Sequence, residues 1–272
     1  MRGLRIVLAA VSFLALTVLF LDGTGYAVAH WGWLAKIQFL PALLSLSAFT
    51  WMALAIVLGI LAVTFLFGRI YCSVICPLGI FQDIVAWATR LVLRSPHSYA
   101  PARTRTRIAF LVATLGAGVV GLHFAVLAPY GIYGRAVAAF LTPLTRLGSN
   151  ALVPWLQAHG CYLVRSVEIV VPTAATLVCA GALLVAVALC AAAKGRLWCN
   201  VVCPVGTVLG CVSRHARVKP VLDAEKCVNC GLCAKACKAQ CIDVAAHRVD
   251  TSRCVVCFNC SSACRKGALT WK

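Results

Sequence analysis

The chain has 272 residues, of which 62% are hydrophobic and only 12% charged, far from the balance of a soluble globular domain. Its 25 Lys and Arg against 7 Asp and Glu would suit nucleic acid. The basic residues instead cluster beside apolar runs, as they do in cytoplasmic loops of membrane proteins, so no nucleic-acid partner is expected.

Four long uncharged stretches follow one another, and a helix needs about 20 apolar residues to cross a bilayer. The first lies between Arg5 and Asp22 and is slightly short, which local thinning of the bilayer accommodates. It has a rival reading as a signal peptide, with Arg2 and Arg5 as the basic region and Ala27-Val28-Ala29 as the cleavage site. The second runs from Ile37 to Gly68, the third spans Ile108–Gly134, and the fourth fills the interval between Glu168 and Lys194. His30–Leu40, Leu78–Arg94 and Tyr130–Leu163 mix apolar with polar residues and read as short interfacial helices or, equally, as segments that pack on the helical bundle.

Loop charge sets the orientation. Arg2 and Arg5, then Arg69, Arg90, Arg94, Arg103, Arg105 and Arg107, then Lys194, Arg196, Arg214, Arg217 and Lys219 fall on one side. The opposite loops hold only Lys36, Arg135, Arg146 and Arg165. The excess predicts a multi-pass protein with both termini in the cytoplasm. Thiols stay reduced there, so the 17 cysteines are expected to serve metal chemistry rather than disulfides.

The cysteines carry two internal repeats. In the tail, Cys227-x2-Cys230-x2-Cys233-x3-Cys237 recurs 27 positions later as Cys254-x2-Cys257-x2-Cys260-x3-Cys264. This spacing wraps three thiolates around one cubane and sends the fourth to the other. One [4Fe–4S] cluster is thus assigned to Cys227, Cys230, Cys233 and Cys264, and a second to Cys254, Cys257, Cys260 and Cys237. Lys238 and Arg265 stand where ferredoxin runs carry Pro. Both are expected to raise the cluster potentials, with simple solvated charge as the alternative. Cys241 reads as a small residue packed on the cluster, with a competing ligand role as the alternative.

The second repeat lies 127 positions apart. Gly68-Arg69-Ile70-Tyr71-Cys72-Ser73-Val74-Ile75-Cys76-Pro77-Leu78-Gly79 matches Gly195-Arg196-Leu197-Trp198-Cys199-Asn200-Val201-Val202-Cys203-Pro204-Val205-Gly206. Each copy closes an apolar stretch, which predicts two related helical hairpins that bring Cys72, Cys76, Cys199 and Cys203 together. Four thiolates suit a third Fe–S cluster or another soft-metal site. Dithiol redox chemistry and a turn shaped by Gly, Cys and Pro remain open. Arg69 and Arg196 read first as positive-inside anchors and second as partners of the thiolates. Cys161, Cys179, Cys190 and Cys211 lack regular spacing and read as small packing residues.

The expected architecture is therefore a mainly α membrane protein with four transmembrane helices over residues 1–219. A small α+β ferredoxin domain of the bacterial 2[4Fe–4S] type follows over residues 220–272. These motifs resemble the NapH/NosR-type membrane polyferredoxins, whose members combine membrane helices, two C-x3-C-P motifs and a double-cubane tail. The stretch Trp33–Phe39 with Pro41, and the run Cys237-Lys238-Ala239-Gln240-Cys241-Ile242-Asp243, resemble the small 4Fe–4S binding branch. The resemblance implies a bacterial cytoplasmic membrane and electron flow between the quinone pool and a redox partner protein. An accessory role in metalloenzyme assembly and a redox sensor are the other function classes.

No residue pattern marks a quinone. Asp22, His30, Lys36, Gln38, His123, His159 and Glu168 are polar groups near the bilayer, and Glu168 ranks first as a catalytic proton acceptor. No second His pairs with His123 inside the third stretch, so no haem is expected. No G-x-G-x-x-G or P-loop occurs, so no nucleotide is expected.

Overall fold

The computed structural model describes residues 1–22, 26–45, 51–93, 97–119, 129–160, 166–169 and 171–272, and it is mainly helical. Two described helices are long and apolar enough to cross a membrane, Arg2–Leu21 and Ala174–Lys194. Both leave large apolar side chains exposed, among them Val7, Val11 and Leu14 on the first and Val178, Val185 and Leu189 on the second. A helix apolar on faces that no protein covers suits lipid rather than water. The other two expected spans also hold helices, Trp51–Phe67 and Thr104–Val119. Their described lengths are 17 and 16 residues, and each adjoins residues outside the described set.

Local chemistry sets the helix ends. Thr173 caps the Ala174–Lys194 helix, its hydroxyl accepting from the Thr176 amide at 3.4 Å. At the other end Gly195 adopts φ 64, a left-handed stop that glycine tolerates. Gly68 does the same after Trp51–Phe67, with φ 77. Pro77 and Pro204 each open a following helix, Pro77–Leu93 and Pro204–Ser213, where a missing amide hydrogen costs nothing. The expected interfacial segments are helical too: Tyr26–Trp31, Trp33–Lys36, Phe39–Ser45, Pro77–Leu93, Pro129–Ala136 and Thr142–Ala158.

The tail carries four short strands. β1 (Pro220–Leu222) pairs antiparallel with β4 (Leu269–Trp271), and β2 (Ile242–Asp243) pairs with β3 (Arg248–Val249). The register puts Pro220 opposite Trp271, so the two ends of the tail close on each other. Short helices Leu232–Ala236 and Asn259–Ala263 lie between them. The tail docks on the helical body through backbone. Arg217 and Val218 amides donate to Phe65 and Leu66 carbonyls at 2.9 and 2.8 Å, and the Arg196 amide donates to Lys238 at 2.9 Å. One continuous buried cluster joins Tyr71, Cys72, Cys76 and Cys203 of the body to Cys237, Cys241, Ile242 and Leu269 of the tail.

Candidate metal centre

Each copy of the 127-residue repeat folds the same way. After the left-handed glycine comes one helical turn, Tyr71–Val74 or Leu197–Val201, and then the second cysteine precedes proline. The two copies meet. Cys72, Cys76, Cys199 and Cys203 are all 2–3% exposed. Burial pushes the Cys76 thiol up, and its neighbours Cys72, Cys199 and Cys203 push it further. Cys72, Cys199 and Cys203 thus lie near enough to Cys76 to act on its thiol.

The two arginines hold this meeting in a reciprocal exchange. Arg69 Nη2 donates to the Cys199 carbonyl at 3.1 Å, while Arg196 Nη1 donates to the Cys72 carbonyl at 2.6 Å. Arg69 Nη1 also donates to Asn200 Oδ1 at 2.8 Å. Each guanidinium lies near one thiol, Arg69 at 3.9 Å from Cys72 Sγ and Arg196 at 4.0 Å from Cys199 Sγ. Gln82 Nε2 donates to Cys199 Sγ at 3.1 Å, and the Gly206 amide to Cys203 Sγ at 3.3 Å. Gly79 and Gly206 are required by this exchange, since a Cβ on either would strike the facing guanidinium and a cysteine carbonyl. The anchor reading of Arg69 and Arg196 is thus corrected: with exposures of 0% and 1% they cannot sit at a lipid headgroup.

Burying such cations demands compensation. For Arg196 it comes from Asp83 of the Pro77–Leu93 helix, whose Oδ1 lies 2.6 Å from Arg196 Nε. Asp83 Oδ2 also pairs with Arg5 Nη1 at 3.2 Å and with Lys238 Nζ. Burial would raise the Asp83 carboxyl, but Arg196 and Lys238 hold it well below the usual carboxylate range. Sequence reasoning treated Asp83 only as one polar residue of an interfacial helix. The available signal was its isolation, as the one acid between Asp22 and Glu168 in an arginine-rich stretch. Arg107 was missed in the same way. Its Nη2 donates to the Gly206 carbonyl at 2.8 Å and to Ser252 at 3.3 Å, in a space left by Gly210. Burial and neighbouring Arg69 lower it to about 10.

In the tail the thiols also act on one another. Cys233 is raised by burial, with Cys264 and Cys227 adding to it. Cys260 is likewise raised by burial, then by Cys254, Cys257 and Cys237. Cys230 is exposed. The two loops share one shape: Asn229 and Gly231 have φ 52 and 70, and Val256 and Phe258, 27 positions on, have φ 52 and 60. A β-branched valine pays strain in that region, and such strain persists where the surroundings fix it, commonly at functional sites. Cys241 is 1% exposed with Sγ 3.5 Å from Cys237 Sγ.

The donor sets are thiols, with guanidinium, carboxamide and amide groups close to several of them. Among the described residues no three His, Cys, Asp or Glu groups stand close enough to hold one metal ion. A tetrahedral zinc site would need thiolates only roughly 3.8 Å apart, given Zn–S bonds of about 2.3 Å. A cubane spreads its four ligands over separate iron corners. Buried guanidinium, amide and carboxamide donors around the sulfurs suit an anionic cluster.

Lys238 and Arg265 occupy unlike settings. Lys238 is 6% exposed and paired with Asp83, whereas Arg265 is exposed. A buried charge is less screened. Lys238→Gln is therefore expected to lower a cluster midpoint by about 60 mV, a tenfold change for one electron, and Arg265→Gln by less. Redox titration followed by electron paramagnetic resonance measures both.

The polar candidates near the bilayer stay apart from these sets. Glu168 is exposed, and its carbonyl accepts from Arg146 Nη1 at 2.9 Å. His159 stacks on Trp155, and Asp22 accepts from the Val28 amide. Gln38 differs: it is 1% exposed and accepts at 2.8 Å from Tyr71 Oη, which lies beside Cys76. His123 and Cys161 fall outside the described residues.

Known proteins repeat this division. A 4Fe-4S binding domain model matches residues 49–96 and again 174–221, each interval enclosing one C-x3-C-P pair. A second 4Fe-4S binding domain model matches residues 218–239. The chain carries 4Fe-4S ferredoxin-type domains. It is 25% identical over 174 residues to the methylamine utilization ferredoxin-type protein MauN of Paracoccus denitrificans. That match covers 62% of this chain and 48% of MauN. It is 42% identical over 43 residues to YccM of Escherichia coli, a protein with an electron-transport name, covering 16% of this chain and 12% of YccM. The chain thus spans about half or less of the relatives it matches. No solved structure matches it.

Proposed function

We propose that this chain is a membrane-bound iron–sulfur protein that passes electrons between the quinone pool and a redox partner, as the NapH/NosR-type polyferredoxins do. The observation that carries this reading is the docking of the tail on the paired C-x3-C-P loops. Arg196 and Lys238 join at the backbone, and Asn200 Nδ2 donates to the Ala239 carbonyl at 3.3 Å. Cys72, Cys76, Cys199 and Cys203 would hold one cluster at the innermost position. Cys237, Cys254, Cys257 and Cys260 would hold the next, and Cys227, Cys230, Cys233 and Cys264 the outermost.

Exposure rises along this row, from 2–3% in the body to an exposed Cys230 at the far rim. A buried start keeps water from the inner centre, and an exposed end offers a contact for a cytoplasmic partner. Both termini lie on the cytoplasmic side in this reading, as the loop charges require.

The test is reduction of anaerobically purified protein by menadiol. Cluster signals in electron paramagnetic resonance are expected to appear with menadiol as they do with dithionite. Reduction by dithionite but not by menadiol would leave the iron–sulfur assignment standing and remove the quinone.

A further inference from the structure

A cavity of about 740 Å³ separates the first helix, Arg2–Leu21, from the Pro77–Leu93 helix. That size suits a small molecule. Its walls are mostly apolar and include Phe13, Ile84 and Trp87, while Arg5, Asp83, His97 and Lys238 line it as polar groups, with Arg2, Arg90 and Asn259 beside them. Trp87 is 64% exposed and Ile84 45%, so the Pro77–Leu93 wall continues into an uncovered apolar surface. The polar end is unfinished. Arg5 and His97 are 8% and 6% exposed, yet Arg5 Nε and His97 Nε2 have no hydrogen-bond partner. Buried unpaired groups of this kind are costly unless a ligand supplies the missing bond.

We propose that this crevice binds the head group of a membrane-soluble quinone, its ring carbonyl meeting Arg5 Nε and His97 Nε2 and its tail leaving between the two helices. The inference rests on the electron-transfer reading above and adds the place of binding. Three features select this occupant. The walls are mostly apolar, so a lipid-phase molecule enters sideways. The unpaired groups are single ring or chain nitrogens, which suit a carbonyl. At the buried end the groups that would grip a phosphate, Arg5 Nη1 and Lys238 Nζ, are already spent on Asp83; of the other lining cations, Arg90 Nη2 donates to the Lys235 carbonyl and Arg2 is exposed. The polar end also touches both inner cysteine sets: Lys238 follows Cys237, and Arg196, on the same Asp83, lies 4.0 Å from Cys199 Sγ. Burial and the nearby cations Arg90 and Lys238 lower His97 to about 4, so it stays neutral at ordinary pH.

Decyl-ubiquinone binding to the purified protein in phosphatidylcholine nanodiscs, followed by isothermal titration, tests the site. Ala10, an exposed wall residue, gives the blocking variant Ala10→Trp. Binding is expected to weaken at least tenfold in Ala10→Trp and in His97→Ala, each retaining wild-type iron content, and to stay unchanged in Cys179→Ser, on an exposed face of the Ala174–Lys194 helix. Wild-type affinity in both crevice variants would overturn the proposal. So would loss of binding in Cys179→Ser alone, or displacement of the quinone by phosphatidylglycerol. Binding in the crevice without reduction of the clusters by the matching quinol would uphold the site and remove the electron-transfer reading. Quinol reduction that is equally fast in wild type and both crevice variants would do the reverse.

Discussion

Cys199→Ser is expected to lower the iron of the purified protein from about twelve to about eight atoms per chain, three cubanes becoming two. Serine keeps the size of the side chain but is a poor ligand for iron, so the change is chemical more than steric. Cys199 is 2% exposed and receives Gln82 Nε2, with two guanidinium groups nearby. In the proposed assignment one iron corner loses its thiolate, and the remaining three thiolates do not retain the cubane. Cys179→Ser supplies the control, because Cys179 is exposed on the Ala174–Lys194 helix and belongs to none of the sets. An unchanged count of about eight in both wild type and Cys199→Ser would mean that the paired loops hold no cluster. The tail clusters should survive the substitution, since their ligands come from separate loops, and their resonance signals report that directly. Retained tail signals with four fewer irons would separate a local loss from collapse of the whole protein.

Ligand spacing is local, and local patterns are what a sequence displays best. Two copies of C-x2-C-x2-C-x3-C identified the tail, and the repeat at 127 positions identified the paired loops, because each motif lies within a dozen residues. The bonds that bring the loops together are not local. Arg69 reaches Asn200 across 131 positions, Arg5 reaches Asp83 across 78, and Arg107 reaches Ser252 across 145. Counting arginines for orientation treats them all as loop markers, so it hides the four that are buried, Arg5, Arg69, Arg107 and Arg196. The reciprocity of Arg69 and Arg196 was nonetheless implicit in the repeat: once two copies face each other, each arginine must meet the other copy's cysteine loop. The left-handed Val256 and Phe258 were likewise hidden, since neither residue type signals that conformation. Their signal was alignment with Asn229 and Gly231 one repeat earlier.

Asp83→Asn is expected to detach the tail from the helical body. One carboxylate binds Arg5 of the first helix, Arg196 of the second cysteine loop and Lys238 of the tail. Asparagine keeps the shape but leaves three cations facing one another out of water. Removing one partner of a buried ionic group costs about 3–5 kcal/mol, more than replacing the whole group by apolar residues. Limited proteolysis should therefore cut the Asp83→Asn protein near Lys219 at least a hundredfold faster than wild type, and an unchanged rate would refute the role. The pH response has a definite sign. The Asp83 carboxyl is held below its ordinary value of about 3.9, so its contribution is complete above that pH and is lost only as pH falls below it. His97, lowered to about 4 from 6.5, acts earlier: between those values the unfolded chain takes a proton that the folded one refuses, so stability falls as pH drops through that range. Proteolysis of wild type should thus quicken from pH 7 to pH 5 through His97. The same acidification should leave His97→Asn almost unchanged, because Asp83 remains ionised throughout and the joint it holds stays closed.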